Sequence, residues 1–96
     1  MRVSFGRRAR REAVEAASWY EYQEEGLGAR FLRALEASQN RVGSNPLMYR
    51  CFRGDLRKCR FEVFPYVLVL RIQDDEIQVA AVMHTSRKPG YWENRS

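Results

Sequence analysis

The spacing of apolar residues changes from two to helical and back again along this chain. "RVSF", Arg2 to Phe5, alternates polar and apolar positions and predicts a short first strand. From about Arg7 to Glu25, Ala9, Ala13, Ala16, Ala17 and Tyr20 recur at helical spacing without a proline, which predicts a first helix. "GLG", Gly26 to Gly28, breaks that run. A second helical stripe follows on Leu27, Phe31, Ala34, Leu35 and Val42, and "GSNP", Gly43 to Pro46, stops it. So short a connection predicts an antiparallel helical hairpin. Trp19, Phe31 and Leu35 are expected in the core.

Beyond Pro46 the alternation returns. In "LRKCRFEVF", Cys59, Phe61 and Val63 point one way and Lys58, Arg60 and Glu62 the other. Pro65 makes a turn, and "YVLVLRI" places Tyr66, Leu68, Leu70 and Ile72 on one face. Asp74-Asp75 signals another turn before "EIQVAAVMH". Three strands with such short turns form an antiparallel meander. The fold class is therefore α+β: a short N-terminal strand, a two-helix antiparallel hairpin, then a meander packed against the helices. Strict alternation puts Ile77, Val79, Ala81 and Met83 under the helices. The opposite face then carries Lys58, Arg60, Glu62, Val67, Val69, Arg71, Gln78, Ala80, Val82 and His84. That face reads as a groove for an extended segment, basic at its edges and apolar in the middle.

Ninety-six residues without a linker or repeat make one domain spanning 1–96. A 45% hydrophobic fraction is that of a globular chain. The apolar run Val67 to Leu70 ends at Arg71, far short of a membrane span, and "MRVSFGRRARR" is no secretory signal. A cytoplasmic protein with no membrane partner is expected. Two cysteines and one histidine fall short of a zinc site, so Cys51 and Cys59 are expected as buried or half-buried free thiols and no metal or cofactor is expected.

Charge changes the picture more than composition does. The formal net charge is +5, and of seventeen basic residues only Lys58 and Lys88 are lysine. Arginine grips phosphates and carboxylates with two parallel hydrogen bonds, which points to an acidic partner, nucleic acid or protein. "RRARR", Arg7 to Arg11, stands at the start of the first helix, where positive charge opposes the helix dipole by a few tenths of a kcal/mol each. It reads either as a solvated face or as a contact for DNA or acidic protein.

"WYEYQEEGLGARFLRAL", "NPLMYR", "LRKCRFEVFPYVLVLRIQDDEIQVAAVMH" and "HTSRKPGYW" together resemble the RelE/ParE superfamily of bacterial toxin–antitoxin toxins, over nearly the whole chain and in that family's order. The resemblance implies a toxin of a type II, plasmid-stabilising system, bound in a hetero-oligomer by its own antitoxin. RelE-like members cleave ribosome-bound mRNA with basic residues and a C-terminal tyrosine or histidine. The positions that would serve such chemistry here are Lys58, Arg60, His84, Arg87 and Tyr91, acting by acid–base catalysis and charge stabilisation. Two departures weigh against it. Val67 stands where those nucleases carry a cation, and their C-terminal tyrosine aligns near Glu93.

ParE-like members instead bind DNA gyrase and need no catalytic set, and "FPY" with the "H..R.P" ending looks more like that branch; a non-toxic module that only binds an antitoxin is the remaining alternative. The partner-binding surface this implies comprises Arg57, Lys58, Arg60, Val67, Val69, Arg71, His84, Arg87, Lys88, Tyr91 and Trp92. Within it, His84 is expected to face the groove beside Arg60 in a structural role. Tyr91-Trp92 reads as a latch on the helices or an exposed anchor.

Overall fold

The computed structural model describes residues 1–86. A first strand, β1 (Arg2–Phe5), leads through Gly6 into helix α1 (Arg7–Gln23), and helix α2 (Leu27–Ser44) returns against it. A short 3-10 turn at Pro46–Met48 precedes β2 (Cys51–Arg53), β3 (Leu56–Arg60), β4 (Tyr66–Gln73) and β5 (Glu76–His84). The five strands form one sheet in the order β1-β5-β4-β3-β2. β1 runs parallel to β5 and the other pairings are antiparallel.

Both helices present the apolar stripes expected of them. Ala9, Ala13, Ala16 and Ala17 of α1, with Phe31, Leu35 and Val42 of α2, bury against Cys59, Phe61, Leu68, Leu70, Ile77 and Val79 of the sheet. The alanines let α1 lie close to its neighbours, so the bulk of the core comes from α2 and the strands. Phe31 is fully buried amid the rings of Tyr20, Phe61, Phe64 and Tyr66, with centroids 5.0–5.4 Å away. Glu21 joins the helices at their turn, accepting the backbone N–H of Gly26 and of Gly28 at 3.0 Å. A carboxylate there also complements the positive end of α2.

Trp19 does not enter the core. It is 58% exposed, and Tyr20, one position on, takes the buried place. The reason lies in the helix's angular step: Tyr20 stands three and four residues from Ala17 and Ala16, whereas Trp19 falls on the flank. The strand β2 was not expected; three residues are too few to show a period, and it exists by pairing with β3. β1 extends the meander by pairing in parallel with β5, which makes the sheet mixed.

The largest departure is in β5. Val69 pairs with Ala81 while its neighbour Leu70 pairs with Val79, so Ala80 is an extra residue, a β-bulge. Each side chain beyond the bulge lies on the face opposite to the one strict alternation assigns. Ala81 and Met83, expected beneath the helices, instead join Leu56, Val67 and Val69 in a small second cluster on the other face. Val82, expected on the open face, is buried in the main core.

Val63 also departs from the expected side. It is 87% exposed at φ 71°, and Phe64 fills the core in its place. Phe64 N–H donates to the Glu62 carbonyl at 2.8 Å, closing a tight turn around Val63. A β-branched residue at positive φ is strained by about 1–3 kcal/mol. Glycine relieves that strain but loses about 0.5–1 kcal/mol through its freer unfolded chain. Val63→Gly is therefore expected to stabilise the fold by about 1 kcal/mol, read as a melting temperature several degrees higher. A lower melting temperature would show that the turn is not strained.

Candidate functional site

The face of the sheet away from the helices carries Lys58 and Arg60 on β3 and Arg71 on β4. Between them Val67 is 5% exposed and Val69 and Ala81 are fully buried, packed with Leu56 and flanked by Ala80 and Met83. The middle of this face is therefore a closed apolar floor, and what it offers a partner is the cationic rim. Lys58 Nζ lies 5.1 Å above the Phe52 ring, contributed by β2. Arg71 reaches toward Asp55 in the β2–β3 turn at 4.0 Å. The Arg60 side chain is exposed while its carbonyl accepts Arg41 Nη2 at 2.8 Å.

Two of the expected site residues lie on the helix side instead. Arg57 alternates with Lys58 and donates from Nη1 to the Tyr49 carbonyl at 2.6 Å, which ties β3 to the segment after α2. His84 lies beyond the bulge. It lines an open cleft of about 170 Å³ with Glu12, Glu15, Ala16 and Trp19 of α1, and with Tyr66 and Val82. Its ring meets Tyr66 edge-on at 5.2 Å. Its Nδ1 accepts the Ser86 N–H at 3.0 Å, which leaves Nε2 to carry the proton of a neutral ring. Across the cleft Glu12 accepts the Val82 N–H at 3.0 Å, satisfying a backbone donor on the stretch of β5 that β1 no longer covers. Arg87, Lys88, Tyr91 and Trp92 lie outside the described residues.

The consequence for chemistry is direct. Lys58 and Arg60 stand on one face of the sheet and His84 on the other, so these three members of the nuclease set do not converge on one phosphate. Strand alternation read from the sequence cannot find this, because Val79, Ala80, Ala81 and Val82 are all apolar and carry no phase. Glu12, Glu15 and Trp19 were missed for a different reason. They belong to a helix flank whose partner, the far end of β5, is distant in sequence.

A third cluster joins α2 to β3. Arg41 donates to the Ser38 hydroxyl at 3.2 Å and to Glu62 at 3.1 Å, and approaches Cys59 Sγ at 3.6 Å. Burial, with Cys59 beside it, raises the Tyr49 phenol above its ordinary range. Every polar contact here is spent on holding the elements together, so the cluster reads as a fastening rather than a reactive centre. Both cysteines are free thiols; Cys59 is buried as expected, but Cys51 is exposed, because β2 is a short strand at the sheet's edge with every residue exposed. Among the described residues no group of three His, Cys, Asp or Glu side chains stands together to hold a metal, and no helix is long and apolar enough to cross a membrane.

Residues 3–89 match the family model described as ParE toxin of type II toxin-antitoxin system, parDE. No curated protein matches the sequence. A solved structure described as the chromosomal ParDE TA system from P. aeruginosa shares the fold, with a TM-score of 0.66 over 88% of this chain and 95% of that one, at 16% identity.

Proposed function

The chain belongs to the ParE toxin family of type II toxin–antitoxin systems, and on that premise we propose that it is a cytoplasmic toxin that acts by binding DNA gyrase. A cognate antitoxin holds it inactive in a hetero-oligomer. The observation that supports binding over catalysis is the division of Lys58 and Arg60 from His84 by the sheet itself. A phosphoryl-transfer site needs its acid, base and charge-stabilising groups within hydrogen-bond reach of one substrate, and losing one such donor costs about 3–4 kcal/mol of transition-state stabilisation. A toxin that acts by occupancy needs only a complementary surface.

The antitoxin segment this reading implies is acidic. It lies along the cationic rim of the face away from the helices, meeting Lys58, Arg60 and Arg71, and Arg60→Glu weakens it by reversing one charge of that rim. The C-terminal residues Arg87, Lys88, Tyr91 and Trp92 supply the gyrase contact, combining arginine forks with aromatic anchors.

A supercoiling assay tests the reading. Added toxin is expected to leave plasmid relaxed and to accumulate linearised DNA trapped with gyrase, and preincubation with the antitoxin is expected to abolish both effects. Normal supercoiling at a large excess of toxin would exclude gyrase as the target. Cuts in mRNA on ribosomes, lost in Lys58→Ala, would replace this reading with the nuclease one.

A further inference from the structure

We propose that the arginines at the start of α1, Arg7, Arg8, Arg10 and Arg11, form a second binding surface, one for the phosphate backbone of duplex DNA. This does not rest on the gyrase reading, because it concerns the toxin and DNA alone. All four residues are exposed. At 100° per residue they spread over the arc of the helix opposite buried Ala9, Ala13 and Ala16, within about 6 Å of axis. The result is a convex, cationic end of the molecule, set apart from Lys58, Arg60 and Arg71 on the open face of the sheet.

Glu15 stands one turn beyond Arg11 on the same helix, but no carboxylate among the described residues closes on these guanidinium groups. Among the described residues, none of the four forms an ion pair or a side-chain hydrogen bond. Glu12 stands one turn beyond Arg8, but its Oε1 is turned inward to the Val82 amide. The helix opens on Gly6 with no side-chain cap and has no acid in its first turn. The free amides of that turn and the positive end of the dipole therefore add to the arginine charge. Arg7 also stands at i, i+3 and i, i+4 from Arg10 and Arg11, and Arg8 at i, i+3 from Arg11, spacings at which like charges repel. The missing first-turn acid and the clustered like charges both work against this helix start, and local rules broken in one direction mark surfaces kept for a partner.

The form of the patch selects the partner. A convex spread of guanidinium forks cannot close around one carboxylate, but it matches a surface of regularly spaced phosphates, each able to take a bidentate contact. The exposed aromatics of α1, Trp19 and Tyr22, stand eight or more residues beyond Arg11, more than two turns away. Among the described residues of α1, no stacking platform for single-stranded bases therefore adjoins the patch, which favours a duplex.

The test measures fluorescence anisotropy of a labelled duplex of arbitrary sequence, with the full chain, over a range of salt concentrations. Affinity should fall steeply with salt. The quadruple variant R7Q/R8Q/R10Q/R11Q should flatten the log–log salt slope by about 3.6, near 0.9 for each of four phosphates released, and weaken binding at low salt by more than about tenfold. Its melting temperature should equal or exceed that of the wild type, because the variant removes repulsion and touches no buried group; this separates loss of the surface from loss of the fold. The charge-matched doubles R8Q/R11Q and R30Q/R33Q remove equal charge from α1 and from exposed positions on α2. A flattened slope in the first and a retained slope in the second support the proposal. Equal losses in both would mean diffuse attraction by net charge, and would overturn it. So would polyglutamate displacing the duplex as well, charge for charge, as unlabelled DNA does, since the patch would then be a reader of acidic protein.

Discussion

Phe31→Ala is expected to lower the melting temperature by about 15–30 °C, the largest effect of any single side-chain truncation in this fold. Phe31 is fully buried and touches four aromatic rings: it stacks with Tyr20 and Phe61 at 5.4 Å and meets Phe64 and Tyr66 edge-on at 5.3 and 5.0 Å. Truncating a buried phenylalanine costs about 3–5 kcal/mol through lost transfer energy and the cavity left behind. A domain of this length loses about 4–8 °C for each of them. These rings come from α1, α2, β4 and the turn before it, so no single element can move in to fill the void. Tyr66 in turn holds the His84 ring at 5.2 Å, so the damage is expected to reach the cleft beside α1. Circular dichroism melts of wild type, Phe31→Leu and Phe31→Ala give the measurement, with the leucine variant between the other two. A drop of only a few degrees in Phe31→Ala would mean that the cluster adds no more than its exposed neighbours.

Gly28→Ala is expected to destabilise the protein by about 3 kcal/mol, against the ordinary sign of this change in a helix. Glycine to alanine within a helix normally gains about 1 kcal/mol. Here a Cβ on residue 28 would stand 2.6 Å from the Ala17 carbonyl oxygen and 3.0 Å from the Glu21 side chain. The first of these is backbone inside α1 and cannot rotate away, so α1 and α2 must separate at their turn. Such overpacking costs about 1–3 kcal/mol, and here the Glu21 contact with the Gly28 amide is at risk as well. Urea unfolding of Gly28→Ala beside Gly43→Ala separates the two terms. Gly43 would bring its Cβ no closer than 3.4 Å to any neighbour. Stabilisation by Gly28→Ala would show that the helices are free to part. The consequence for function follows from α1, which carries the arginine end and one wall of the His84 cleft; tilting it moves both relative to the sheet.

Much of this architecture was legible because it is written in local periods. The alanine stripe of α1, the Leu27–Val42 stripe of α2 and the alternation in β4 each repeat often enough to declare their period and phase, and the buried residues agree. The arginine run was legible for the same reason, since helical spacing alone places it opposite the alanines. Trp19 was misread because bulk suggests burial, whereas the angular position on the helix decides it.

The candidate site was less legible, because it joins residues far apart in sequence. From sequence, Lys58, Arg60 and His84 share a face by counting in twos along their strands. In the fold Ala80 inserts into β5 and carries Val82 and His84 to the helix side while Ala81 and Met83 move the other way. A four-residue apolar stretch, Val79 to Val82, satisfies either phase equally, so its choice rests on cross-strand pairing with β4 and on the contact of Glu12 with the Val82 amide. The sequence by itself determined the order of every strand and helix but β2, the alanine and leucine stripes of the two helices and the cationic character of the surface, because each follows from the spacing of neighbouring residues. Only the tertiary structure decided which cations and which histidine share a face, because one unpaired residue in a strand reverses everything after it and is selected by partners that local spacing does not contain.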